Sequence, residues 1–354
     1  MSEKFSGRRR MSVESLEGRW LMAGDVTATV INGNLFIVGD DLDNRISITN
    51  GANADEVVIE GFDDGGGNPT NVGGAPNGSV TKTGVTGNIV VTMRGGNDFV
   101  GAHDLDAQRN LAITLDDGND AVWLGAAAVN SSGVVFPQLA AALATFPAGL
   151  VSAGPVTVAR SLILNGGTGN DNVSQSETSV AQQEVINLGL GGDHVFMGLA
   201  AAGNLSTNNT AKDMVVNLGR GADSVAGYQL DIQRALAIND LGGVTDIDLH
   251  TIAVNHAAIL TTGPGSDDIA IKNMHALNVA ILTGHSPDTV KIEDSTFKRL
   301  EVLLFGGNDT LEIGNTTVST QGFLDGGAGT GDTYDQLTPN TFTNVKKVRF
   351  EINT

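Results

Sequence analysis

Nine aspartates recur at near-constant spacing along this chain, eight of them closing a glycine-rich turn and Asp288 completing the series: Asp98, Asp120, Asp171, Asp193, Asp223, Asp267, Asp288, Asp309 and Asp332. The turns read RGGND (94–98), DDGND (116–120), GGTGND (166–171), GLGGD (189–193), GRGAD (219–223), GPGSD (263–267), FGGND (305–309) and GAGTGD (327–332). Carboxylates held beside turn carbonyls are hard oxygen donors of the kind calcium takes six to eight at a time. The same side chain closes a turn without any ion by accepting backbone N–H groups. Both uses are open on residue type alone. Magnesium suits such turns less well, because it demands stricter octahedral geometry.

What must position these residues follows from the spacing. With Thr245 standing where one aspartate is missing, the gaps between successive anchors are 22, 51, 22, 30, 22, 22, 21, 21 and 23. Apolar residues follow each anchor at the second and usually the fourth position, as in Val122 and Leu124, Val195 and Met197, Ile247 and Leu249, or Leu311 and Ile313. Eleven residues before six of the anchors stands a basic residue (Arg109, Arg160, Lys212, Arg234, His256 or Lys298), and a second alternating segment follows it. Each repeat therefore reads as two short strands joined by a glycine turn on one side and a charged turn on the other. One such unit cannot bury its apolar face alone, and stacking the units buries a continuous core. The spacing predicts an all-β fold, a right-handed parallel β-helix (solenoid) of about 10–12 coils with about 22 residues per coil. Residues 1–25 read as an export segment or tail, and 26–354 as a single β-helix domain with insertions at about 63–79, 125–158 and 200–210. Segment 26–60 alternates similarly and is expected to form the first coils, and PQLAAALATF (137–146) is expected to form a short apolar helix. Stacked at roughly 4.8 Å per coil, neighbouring carboxylates repel by about 1–3 kcal/mol each, so a compensating partner is required.

Composition narrows the function. Asp+Glu 40 against Lys+Arg 20 gives a net charge of −20, which opposes docking on nucleic acid or anionic lipid. The absence of cysteine removes disulfides, thiolate metal sites and cysteine nucleophiles together. Prolines 137, 147 and 155 interrupt the longest uncharged stretch, so no transmembrane segment is expected. Neither G-x-S-x-G nor H-E-x-x-H occurs. Outward positions of the later coils carry Lys272, Lys291, Glu293 and Glu312, and spacing of 21 puts Lys272 near Glu293 and Lys291 near Glu312. Trp123 and Phe196, also at outward positions, are able either to stack on sugar rings or to lie under the 125–158 insertion.

Two resemblances add to this. The Arg-rich start (Arg8, Arg9, Arg10) followed by ESLEGRWLMAGD (14–25) resembles the N-terminal segment of secreted or surface proteins of planctomycete bacteria, which implies an extracellular or cell-surface location. GGTGNDNV (166–173) resembles the haemolysin-type (RTX-like) calcium-binding repeat. That resemblance implies a structural calcium ion held by Asp171 with Gly166, Gly167 and Gly169. The expected function is a calcium-associated structural or adhesive module that meets a polysaccharide or another surface protein. The alternative is a polysaccharide lyase or hydrolase of the pectate-lyase type on the same scaffold.

Overall fold

A computed structural model describes residues 24–63, 68–125, 154–198 and 209–353 of the chain. The expected helix at 137–146, most of the 125–158 and 200–210 insertions and nearly all of the N-terminal segment lie outside the described residues. Every described regular element is a β-strand. No helix among the described residues is long and apolar enough to cross a membrane.

The repeat spacing becomes a pairing register. Leu111–Asp117 pairs parallel with Leu162–Thr168, placing Leu111 against Leu162 and Ile113 against Leu164. Leu162–Thr168 pairs in turn with the corresponding part of Thr178–Leu190. On the second face Phe99–Ala102, Ala121–Leu124, Asn172–Gln175 and His194–Met197 stack in the same parallel sense. Each strand thus meets its counterpart one repeat later. Period-2 alternation then sends every second side chain inward: Val122, Leu124, Val195, Met197, Ile247, Leu249, Leu311 and Ile313 are buried.

Some repeats hold a third strand where the alternation suggested two, while others keep two, as in Thr289–Glu293 and Thr296–Leu303. The third is short, as in Leu105–Ala107 and Val156–Val158, and it pairs parallel between repeats like the others. A left-handed residue six positions after the anchor creates it: Asp104, Glu177, Gln229, Thr251, Asn273, Asp294 and Asn315 all have positive φ between 46 and 58°. That single residue turns the chain and reverses the inward phase, so the buried positions move from even to odd offsets (Leu230 and Ile232, Ile252 and Val254).

The first coils also differ from expectation. Asn34–Val38 and Arg45–Asn50 do stack parallel on Ile89–Thr92 and Phe99–Ala102. Their other edges carry antiparallel partners, Asp25–Ile31 on the first and Val57–Gly61 on the second. Ser79–Lys82, inside the expected 63–79 insertion at its start, pairs antiparallel with Val57–Gly61. Hairpins therefore close the N-terminal end. Alternation alone looks the same for parallel and antiparallel neighbours, which is why it reads as further coils.

Candidate functional site

The glycine turns set the path of the backbone. Gly118, Gly169, Gly191, Gly221 and Gly243, two residues before successive anchors, have φ between 125 and 156°. A Cβ built on Gly118 meets the Gly96 carbonyl oxygen at 1.6 Å, and one on Gly221 meets the Gly191 carbonyl oxygen at 1.3 Å. The turns are so closely stacked that only glycine fits at these five positions.

That close stacking brings the aspartates into one buried line. Each Oδ1 accepts the backbone N–H of the preceding anchor: Asp98 donates to Asp120 at 2.7 Å, Asp120 to Asp171 at 3.0 Å, Asp171 to Asp193 at 2.8 Å and Asp193 to Asp223 at 2.8 Å. The second half repeats the pattern, from Thr245 to Asp267, Asp288, Asp309 and Asp332. All nine expected aspartates are brought into this column. Its ends escaped the sequence reading. Asn44 supplies the first N–H to Asp98, 54 residues away, and Glu351 accepts the last from Asp332 over only 19. Neither gap resembles the repeat.

The second oxygen, Oδ2, of all nine aspartates is buried without a hydrogen-bond partner. Burial pushes these carboxyls up from the usual 3.8: Asp98 to about 8, Asp120 to about 6, and Asp171, Asp193, Asp223 and Asp309 to about 7. The amides bonded to Oδ1 pull the other way but do not prevail. Asp267 and Asp288 are raised by burial as well.

At Thr245 the column changes design. The carboxylate has moved five residues back to Asp240, also buried, and its Oδ2 accepts from the Thr245 hydroxyl at 2.9 Å and the Gly242 N–H at 3.0 Å. The Asp240 carboxyl lies beside Asp223 and adds to that group's upward shift.

As a calcium set, these residues offer little convergence. Among the described residues no three His, Cys, Asp or Glu side chains come together as a group able to hold a metal ion. Oδ1 of each aspartate is committed to an amide. The carbonyl oxygens of Gly167 and Gly169 face the next repeat, 2.1 Å and 1.6 Å from where a Cβ on Gly189 and Gly191 would sit. Gly166 serves by lacking a side chain, since its Cβ would lie 2.3 Å from Asp171 Oδ2.

A second buried acid was missed. Glu184 sits in the apolar column between Leu162 and Met214, and its Oε1 accepts from Gln175 Nε2. Burial pushes its carboxyl up to about 7. A further ladder of amides (Asn165, Asn187, Asn217, Asn239) runs half-buried alongside, each Nδ2 donating to the preceding Oδ1 at 2.7–2.9 Å. Its signal was present as asparagine at six residues before four consecutive anchors.

On the outer face, Lys291 meets Glu293 at 3.5 Å and Glu312 at 4.0 Å, while Lys272 meets Asp294 at 3.7 Å in place of the expected Glu293. Of the basic column, Arg234 clasps Asp213 with two donors. Phe196 is buried rather than presented to solvent, and lies 6.0 Å from the Tyr228 ring, which stacks on His250 at 5.5 Å.

One open groove, of about 760 Å³, follows the corner beside the aspartate column. It runs from Asn119 to Asp268, with Asp223 and Thr245 among its lining. His194 Nδ1 lies 2.7 Å from Ser224 Oγ there, and burial lowers the pKa of its imidazole.

Comparison with known proteins reaches only the start of the chain. Residues 7–26 match the family model described as Planctomycete extracellular. That short segment is of the extracellular type. No curated protein and no solved structure matches the chain.

Proposed function

We propose that the chain is an extracellular, non-catalytic rod, a right-handed parallel β-helix of about 10–12 coils that serves as a structural or adhesive module. The extracellular-type segment at 7–26 supports the location. The observation that carries the module reading is the repeated use of side-chain oxygens to bond one repeat to the next. Aspartate, asparagine and serine or threonine groups bond the next turn, not a shared pocket. On the outer face Lys291 is held between two glutamates, so this part of the surface balances charge and does not present Lys291 as the free base a lyase or hydrolase arranges. Small-angle scattering tests the shape: an elongated particle on the order of 50 Å long is expected, and a compact sphere overturns the reading. Assays for reducing ends and unsaturated products on pectin-like, alginate-like and β-glucan polymers, with calcium added, are expected to show no turnover. Turnover that disappears in Lys291→Ala or Glu293→Ala restores the enzyme.

Calcium is the second reading, and the nine unpartnered Oδ2 atoms speak for it. A cation bound only by the folded chain stabilises by mass action. If calcium is structural, chelator lowers the melting temperature and millimolar calcium restores it. Unchanged melting leaves the carboxyls as turn caps.

A further inference from the structure

The groove beside the aspartate column carries two carboxylates set against each other. Asp246 and Asp268 are register partners on adjacent repeats, about 4.8 Å apart, and neither makes an ion pair with a described residue. No lysine or arginine lines the groove. Like charges set directly opposite are destabilising, and whereas Lys291 offsets Glu293 and Glu312 on later repeats, no described lysine or arginine is paired with Asp246 or Asp268. A second feature points into the same place. Asp223, only 3% exposed, lines the groove floor, and its Oδ2 has no partner. Beside these carboxylates stand Ser224, Ser266 and Asn172, the last with its own unpartnered Oδ1.

We propose that this groove binds an amino-sugar polymer laid along the rod, with ammonium groups on Asp246 and Asp268 and sugar hydroxyls on Ser224, Ser266 and Asn172. This deepens the adhesive-module reading and rests on it. Charge selects a cation, and two facts select a sugar over a basic peptide. The groove spans six repeats, roughly 24 Å along the stack, which suits an extended chain. Its walls are side chains on strands whose backbone groups are spent on neighbouring repeats, as in the Asp246–Thr261 pairing with Asp268–Leu282. A peptide laid there finds no sheet edge for its own N–H and C=O groups. A polyhydroxylated chain needs none.

The test is calorimetric titration of the full chain with a fully deacetylated glucosamine oligomer, its N-acetylated counterpart and an oligolysine of similar charge. Binding of the deacetylated oligomer is expected, weakening steeply with salt and falling about tenfold or more in Asp246→Asn with Asp268→Asn. Glu312→Gln removes a carboxylate from the same sheet outside the groove and is expected to leave binding unchanged. Thermal melting of each variant separates a lost site from a lost fold. Equal binding of oligolysine or of the acetylated oligomer overturns the proposal, as does full retention of affinity in the double variant. Lost binding by a well-folded wild-type rod overturns it while leaving the module reading intact. Binding accompanied by cleavage of the oligomer supports the ligand class and defeats the non-catalytic reading.

Discussion

The chain places carboxylates in two settings. Asp193 and Asp223 belong to the buried column, each bound through Oδ1 to a backbone N–H and raised by burial to about 7. Glu293 and Glu312 stand on the outer face of the same repeats' strand type, a third exposed and paired with Lys291. The first group closes the backbone of its neighbour. The second only balances a charge in water. Equal chemistry thus carries unequal weight, because an unbonded buried amide costs about 1–3 kcal/mol whereas an exposed pair is worth about 0–1 kcal/mol.

The largest effects should come from the packing that makes the buried setting possible. Gly221→Ala puts a methyl group 1.3 Å from the Gly191 carbonyl oxygen and is expected to abolish the cooperative melting transition. Val195→Asp, at a position 2% exposed, should do the same, while His194→Asp one residue away should fold. Circular dichroism on the three proteins checks this, and equal tolerance at 194 and 195 breaks the comparison.

Next comes the column itself. Asp193→Ala strands the Asp171 amide and should lower stability by about 1–3 kcal/mol in denaturant titration. Asp193→Asn keeps an acceptor and removes the charge, so it should restore most of that loss. Failure of Asn to restore it would indicate that the charge, and hence a cation, is what matters.

The pH dependence sharpens the contrast further. A carboxyl whose pKa is raised on folding stabilises fully below its ordinary value, 3.8 for aspartate and 4.5 for glutamate. That contribution fades as pH rises through the folded values of about 6 to 8 carried by Asp98, Asp120, Asp171, Asp193, Asp223, Asp309 and Glu184. The melting temperature should therefore fall from pH 5 to pH 8.5, and Glu184→Gln should flatten the slope. A melting temperature that rises over this range refutes the buried-acid assignment.

The smallest effects belong to the surface and the bends. Lys291→Ala should cost about 0–1 kcal/mol. Thr251, a β-branched residue at φ 58°, is the least suited member of the left-handed column, and Thr251→Asn should raise the melting temperature slightly. A loss in that variant would mean that the threonine methyl packs more favourably than the bend penalises it.

Much of this was legible in the chain. Period-2 alternation fixed which residues face inward, so Val195 and His194 fall on the sides expected of them. The anchor spacing became the pairing register without change, as Lys291 against Glu312 illustrates. The third strand was hidden because Glu177, Gln229 and Thr251 carry no mark of a left-handed bend, although Asp104, Asn273, Asp294 and Asn315 do, and the bend reverses the alternation on either side of it. Asp240 was hidden because its carboxylate reaches the column from across the turn. Glu184 breaks an otherwise apolar column, and nothing local to it reveals Gln175 nine residues away as its partner. In the candidate site, the aspartates were found by type and spacing. What each oxygen does depended on the next repeat, which no single repeat encodes.

The column also has a direction. Every bond runs from an amide of one repeat to a carboxylate of the next, beginning at Asn44 and ending at Glu351. A ribosome delivers the repeats in that same order. At each moment of synthesis the newest complete turn has an open N–H awaiting an acid not yet made, and Glu351 brings the final one. Shortening the chain from its end should therefore uncap a turn each time, whereas shortening it from its beginning releases a carboxylate into water, where it is content. The column has a vulnerable end and a tolerant one, set by the polarity of its hydrogen bonds.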